Sequence, residues 1–364
     1  MKKILNSKLT FIIPFVLLIF ISLLNMHNAK FISSLYTHNF FKQLLWFILG
    51  IIIFLIVRKI NLPRLFKISY FLYFLSLFFL VLVLFIGKTT NGAKAWLNLG
   101  LFSFQPSELM KLSLTIFLSN LATNYEKSTK KQEIIFISKI LIATIIPSFL
   151  VFLEPDTGAI LYFFLIALAI LITTNIHKLW FIILILIICV LGISFILLYL
   201  FNRDLLISLI GTSFFYRVER LITFHTSSSY QLENALIAIG SAPLIKNGFH
   251  QISIYIPEAP TDFFFAFSIG NYGYLIGYLI LLCYFIIDAY LINYYFQLKK
   301  SPTKFITGAF LSLFLFGQVI NISMNIGLLP IIGIPLPFLS YGGSTLITYF
   351  IFLGLIFQNK SHLS

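Results

Sequence analysis

Ten long apolar runs constrain this chain more than any motif in it. They fall at roughly 9–26, 40–57, 68–87, 107–122, 134–153, 159–174, 179–201, 263–287, 305–326 and 338–357. A helix needs about 20 mostly apolar residues to cross a bilayer, and backbone in hydrocarbon must satisfy its own hydrogen bonds. Most of the runs approach or reach that length. Of the 364 residues, 60% are hydrophobic and only 10% charged, against about 25% charged in a soluble domain. That excludes a soluble enzyme, and the chain is too apolar to be disordered. The expected fold class is an all-α polytopic membrane protein with about ten transmembrane helices, residues 1–364 forming one integral-membrane domain. Cys189 and Cys283 sit inside apolar runs, so neither a disulfide framework nor a zinc site follows from them.

Lys and Arg set the expected orientation. With the N-terminus cytoplasmic, sixteen of the 25 fall in inner segments, eight in outer ones, and Lys111 within a span. Cytoplasmic loops carry such an excess, so both termini are expected in the cytoplasm. The net charge of +14 then reads as an orientation signal rather than as a nucleic-acid surface. The first run follows Met-Lys-Lys, but no small-residue cleavage site follows it, which predicts an uncleaved first span. One large extracytoplasmic loop is expected at about 202–262, between helices 7 and 8. Its LLISLIGTSFF and ALIAIG stretches look membrane-surface-seeking.

The 11 acids are the more informative charges. Glu126, Glu133 and Asp288 are expected on the cytoplasmic side near Lys; the other eight fall in outer loops or at outer helix ends. Acids contribute little to orientation, and near a membrane each carries a cost that needs a reason. For Asp204 and Glu233 an ordinary solvated loop suffices. Four clusters ask for more.

The first is NGAKAWLNLGLFSFQPSELMKLSL, 91–114. Pro106 suits the first turn of a helix, and Glu108 then faces free backbone N–H groups. Lys111, three residues on, shares a face with it. Either the two make an internal ion pair, or Lys111 serves an anionic lipid or an acidic partner. Trp96 reads as an interfacial anchor. The second is Glu154-Pro155-Asp156-Thr157-Gly158, where Asp156 can cap the next span, pair with Lys111 or help to bind a divalent cation. The third is YIPEAPTDFFF, 255–265, where Asp262 opens a span. Spacing alone favours a helix cap, but Phe and Pro around Asp262 predict a carboxyl raised by desolvation and suited to act as a general base. The fourth is GLLPIIGIPLPFLSYGGS, 327–344, uncharged and broken by Gly and Pro. It predicts either close helix packing at Gly342 and Gly343 or a re-entrant segment shaping a groove. The span before it carries Gln318, Asn321, Ser323 and Asn325, a polar face turned to protein or water.

At these segments the chain resembles the SEDS family (shape, elongation, division and sporulation), most of all its RodA branch, with FtsW- and SpoVE-type members as the nearest alternatives. The matching stretches are NGAKAWLNLG with FSFQPSELMKL, EPDTGA, PEAPTDFFFAF and GLLPIIGIPLPFLSYGGS, in the family's order and across nearly the whole chain. The chain departs from the family pattern at Ala95, Ser241-Ala242-Pro243 and Gly270-Asn271. The resemblance implies a peptidoglycan glycosyltransferase of the bacterial cytoplasmic membrane. Such an enzyme polymerises lipid II, with undecaprenyl-diphosphate-linked glycan as donor and a class B penicillin-binding protein as partner. By motif, the essential acid falls on Asp262, the acid–base pair on Glu108 and Lys111, the acid after span five on Asp156 and the loop Trp on Trp96. Asp262 would take the acceptor proton, while Lys94, Lys111, Arg217, Arg220 or a divalent cation (Mg2+ or Mn2+) would meet the diphosphate. Arg217 and Arg220 could equally be membrane-surface anchors. Two other classes stand beside this one. A flippase for lipid-linked precursors would place its ionisable groups near the midplane, and a non-catalytic scaffold would tolerate loss of Asp262.

Overall fold

The computed structural model describes residues 7–90, 93–98, 100, 103–126, 129–212, 215, 219, 229–246 and 255–358. Each apolar run folds as helix. The chain begins with α1 (Lys8–Ala29), α2 (Asn39–Val57), the short α3 (Leu62–Lys67) and α4 (Ser69–Ile86). A small antiparallel meander follows, β1 (Lys88–Thr90), β2 (Ala93–Asn98) and β3 (Ser103–Phe104), with Lys88 opposite Trp96 and Leu97 opposite Phe104. Next come α5 (Pro106–Thr123), α6 (Lys130–Leu153), α7 (Thr157–Thr174) and α8 (Lys178–Phe201). The large connection expected after α8 holds two described helices, α9 (Arg203–Ile210) and α10 (Tyr230–Gly240). The chain closes with α11 (Phe264–Tyr272), α12 (Tyr274–Gln297), α13 (Pro302–Asn325) and α14 (Gly343–Ile356).

Among the described residues, eight helical segments are long and apolar enough to cross a membrane: α1, α2 with the turn before it, α4, α6, α7, α8, α12 and α13. The other two expected spans differ for physical reasons. α5 is buried over almost its whole length, against α4, α6, α7, α13 and α14. It therefore carries Ser, Thr, Glu and Lys that a lipid-facing helix could not. α14 is short because the chain before it, 326–342, stays irregular.

That irregular stretch is buried at Ile334, Leu336, Phe338, Leu339 and Ser340, so its backbone needs partners from protein. Four helices supply them. Ser22 Oγ of α1 donates to Leu339 O at 2.7 Å, and Gln43 Nε2 of α2 donates to Ser340 O at 3.3 Å. Tyr284 Oη of α12 donates to Pro337 O at 2.6 Å, and Asn321 Nδ2 of α13 donates to Ile334 O at 2.8 Å. Gly343 starts α14 directly against Trp46: a Cβ there would lie 2.3 Å from the indole, whereas Gly342 faces only its neighbour Thr345. The close packing predicted for the Gly pair thus belongs to Gly343.

Three expectations need correction. The run at 263–287 is two helices broken at Gly273. Its φ is +87°, and a Cβ there would lie 2.6 Å from Pro243 O, leaving no room for a side chain. Asp288 lies within a helix rather than just past the end of its apolar run at 287, because α12 continues to Gln297; its Oδ1 accepts a 3.1 Å bond from Gln318 Nε2 of α13. ALIAIG is only partly a surface element. Ala235 and Ala238 of α10 are buried against α11, where Gly270 lets Ala238 approach, while Leu236 and Ile237 stay exposed.

Candidate active site

The elements converge at one end of the bundle. The starts of α5, α7, α11 and α14 meet the ends of α6 and α13 there, with the meander beside them. The opposite end carries Arg58, Lys59, Lys130, Lys131, Lys178, Lys299, Lys300 and Lys304.

Asp262 lies in the turn before α11, and its carboxylate caps nothing. The amides of Thr261, Asp262 and Phe263 all donate to Glu258 O, and Ala266 N donates to Asn325 Oδ1. The amides of this turn and of Ala266 are met without the Asp262 carboxylate, which does not fill the capping role that spacing suggests. The Asp262 backbone is itself pinned: its carbonyl accepts from Asn321 Nδ2 and Asn325 Nδ2, each at 2.9 Å. The carboxyl keeps part of its surface open while lying deep among protein atoms. That desolvation, reinforced by Glu258, pushes its pKa up to about 7.

The irregular segment between α13 and α14 joins Asp262 to the second acid. A Cβ on Gly333 would sit 3.8 Å from Asp262 Oδ2, while Gly158 packs against Ile332 and Ile334 and faces Asp156 Oδ1. Residues 332–334 thus run between the two carboxylates. Asp156 caps α7 as expected, with Ala159 N donating to Oδ1 at 3.1 Å. Its Oδ2 accepts from Gln105 Nε2 at 2.9 Å and Ser107 Oγ at 3.3 Å, so the α6–α7 turn is tied to the start of α5. Burial raises the Asp156 pKa against the opposing pull of those bonds and of Lys111.

One turn further along α5, Glu108 and Lys111 form the predicted pair at 2.7 Å, with 5% and 3% of their surfaces exposed. Thr345 Oγ1 of α14 donates to the same Glu108 oxygen at 3.0 Å, and the Lys111 ammonium lies 4.4 Å from the Tyr162 ring centroid. Lys111 therefore makes the internal pair that helical spacing expects. Gln105, Ser107, Thr345, Ser22 and Gln43 were not singled out from sequence. Ser22 and Gln43 had a usable signal, being polar residues inside apolar spans.

Glu154 is a further surprise. It is fully buried, and neither carboxylate oxygen has a hydrogen-bond partner among the described residues. Burial, with Asp156 nearby, pushes its pKa up to about 8. Its carbonyl accepts from Lys94 N at 3.2 Å and so holds β2 against the site. The Lys94 ammonium is spent elsewhere, donating to Leu84 O and Phe85 O at the end of α4. Trp96 sits half-buried on β2. Arg217 and Arg220 lie outside the described residues. Among the described residues no three His, Cys, Asp or Glu side chains converge as metal ligands.

A multi-span membrane protein that gathers isolated carboxylates around an irregular buried segment at one end of its bundle is the class that fold and site define. The FtsW, RodA and SpoVE model, described as cell cycle protein, matches residues 8–364. The chain belongs to that family, the SEDS proteins. It is 32% identical to a probable peptidoglycan glycosyltransferase FtsW from Wigglesworthia glossinidia brevipalpis, over 88% of this chain and 84% of the relative. It is 28% identical to the peptidoglycan glycosyltransferase MrdB of Helicobacter pylori, over 95% and 87%. Among solved structures, it is similar to a chain of a peptidoglycan synthase complex, with a TM-score of 0.79 at 22% identity over 97% of each chain. It also matches the rod shape determining protein RodA of Thermus thermophilus, with a TM-score of 0.63 at 21% identity over 96% of this chain and 95% of that one. At those identities the structures speak to fold alone.

Proposed function

We propose that this protein is a peptidoglycan glycosyltransferase that polymerises lipid II into β-1,4 glycan at the outer face of the bacterial cytoplasmic membrane. In this reading the chain is one membrane unit with both termini in the cytoplasm, and the Asp262 end of the bundle faces outward. The Lys/Arg excess at the opposite end supports that orientation. The carrying observation is Asp262: a carboxylate that caps no helix, anchored through its backbone by Asn321 and Asn325, with its pKa brought to about 7.

The chemistry asks for a base near neutrality. The donor already carries a diphosphate leaving group, so no strong acid is required. Asp262 accepts the proton of the acceptor hydroxyl as its oxygen attacks the anomeric carbon. The bond to diphosphate breaks on the opposite side, inverting an α-linked donor to a β linkage. The Glu108–Lys111 pair with Thr345, and Asp156 with Gln105 and Ser107, act as positioning groups. They hold the starts of α5, α7 and α14 around residues 332–334. The described carboxylates do not converge as a metal site, so no step is routed through a divalent cation. The relatives' names support the reaction, and the motif resemblance is what implies a class B penicillin-binding protein as partner. Elongation with rod shape is the role we favour from the motif resemblance to RodA.

Asp288 supports the flippase as a second reading, because it is an ionisable group, hydrogen-bonded by Gln318, between two membrane-length helices. Purified protein with its partner, supplied with lipid II in liposomes, separates the two. Glycan strands without scrambling of lipid II between leaflets support polymerisation; scrambling without strands supports transport.

A further inference from the structure

At the Lys-rich end of the bundle, far from Asp262, α7 and α13 leave an apolar cleft of ≈ 230 Å³ open to the outside of the bundle. Its walls are Leu168, Ala169 and Ile172 of α7 with Leu311 and Leu315 of α13. One end is closed by Tyr295 of α12, which crosses Gly308 and meets Thr173 Oγ1 at 3.0 Å. The crossing needs Gly308, since a Cβ there would lie 2.9 Å from the Thr173 hydroxyl and 3.1 Å from the Tyr295 ring. Lys304 sits 5.1 Å from the Tyr295 ring centroid and donates to Leu298 O at 3.0 Å, bracing this corner.

The rim is cationic. Lys299 and Lys300 are exposed in the turn between α12 and α13, and Lys178 opens α8 just after α7 ends. The one acid on the neighbouring corner, Glu133, is already engaged: Trp180 Nε1 donates to it at 2.9 Å, and His177 Nδ1 lies 2.7 Å away. Hydrocarbon walls beside exposed ammonium groups, for which no partner is found among the described residues, match the chemistry of a hydrocarbon chain beneath a phosphate.

We propose that this cleft binds an anionic diacyl phospholipid of the leaflet at the Lys-rich end, one acyl chain between α7 and α13 and its phosphate on Lys299 and Lys300. The site is independent of the Asp262 chemistry, and its test reads binding alone.

The full chain in nanodiscs is irradiated with phosphatidylglycerol carrying a diazirine on its acyl chain, and labelled peptides are mapped by mass spectrometry. Labelling is expected on residues 165–173 and 308–315. It should fall roughly tenfold when Ala169→Phe fills the cleft, with Ser312→Leu as a second filling variant should the first not fold. Lys299→Gln with Lys300→Gln should lower phosphatidylglycerol labelling roughly tenfold and leave labelling by the phosphatidylcholine analogue unchanged. Equal labelling by the two head groups in the unaltered protein, or labelling indifferent to the filling variants, overturns the proposal. So does competition by undecaprenyl phosphate but not by phosphatidylglycerol, which would make the cleft an isoprenoid site.

Discussion

Asp262 differs from the other site acids in what its carboxylate is free to do. Asp156 is held by three hydrogen bonds and Glu108 by an ammonium and a hydroxyl, whereas the Asp262 side chain accepts none among the described residues. Its pKa of about 7 places its ionisation in the working range of a base. Glu154 is the opposite case, a carboxyl buried without partners. Its ordinary value is 4.5 and its folded value about 8. Between those the folded protein binds more protons than the unfolded chain, so stability falls as pH rises through that window. Glu154→Gln removes this loss. Its melting temperature in detergent should match the parent near pH 4.5, exceed it increasingly toward pH 8 and hold a constant lead above. Lys111→Met should act the other way, leaving the buried Glu108 carboxylate without its ammonium. A loss of about 3–5 kcal/mol is expected, largely recovered when Glu108→Gln is added, with denaturant unfolding in detergent as the measure. At this scale the sequence showed the acids and their partners within a helical turn, but not the distant ones. Pro106, Glu108 and Lys111 are neighbours by helical spacing, but Thr345 lies 237 residues from Glu108, and no periodicity carries that contact.

At the scale of elements, the apolar runs located the helices because lipid-facing and core-facing residues are both hydrophobic. The same indifference hid what kind of helix each run is. α5 is a core helix, and α8 stands at the edge with Tyr199 as its buried residue, yet both read as spans. The meander was not legible, since its strands are short and interrupted. The break at Gly273 was masked by hydrophobic residues continuing through it. Small residues mark where helices approach closest. Gly343→Ala would drive a methyl group into Trp46 and separate α2 from α14, costing on the order of 1–3 kcal/mol. Gly240→Ala, at the end of α10 with open space around it, should be neutral or stabilising by about 0.4–1 kcal/mol. Thermal unfolding of the two variants side by side checks the contrast.

Across the whole molecule, charge is sorted by end. Lys and Arg crowd one end of the bundle, where Glu133 is tied into the α7–α8 corner by His177 and Trp180. The carboxylates of the site gather at the other. The sequence carried this partition in outline through its Lys and Arg counts, while the hydrogen bond that ties Asp288 to Gln318 of α13 was not legible in it. The irregular segment 326–342, held by α1, α2, α12 and α13, sets residues 332–334 between Asp156 and Asp262. In the proposed function the outcome depends on the Asp262 carboxylate, which makes no hydrogen bond among the described residues. The most direct measurement is lipid II polymerisation by the purified protein with its class B partner, comparing the parent with Asp262→Asn across pH. The parent rate should climb about tenfold per pH unit up to about 7 and then level, and the variant should fold, bind the partner and make no glycan. Strands made by Asp262→Asn at the parent rate, or a parent rate flat from pH 5 to 8, would contradict Asp262 as the base.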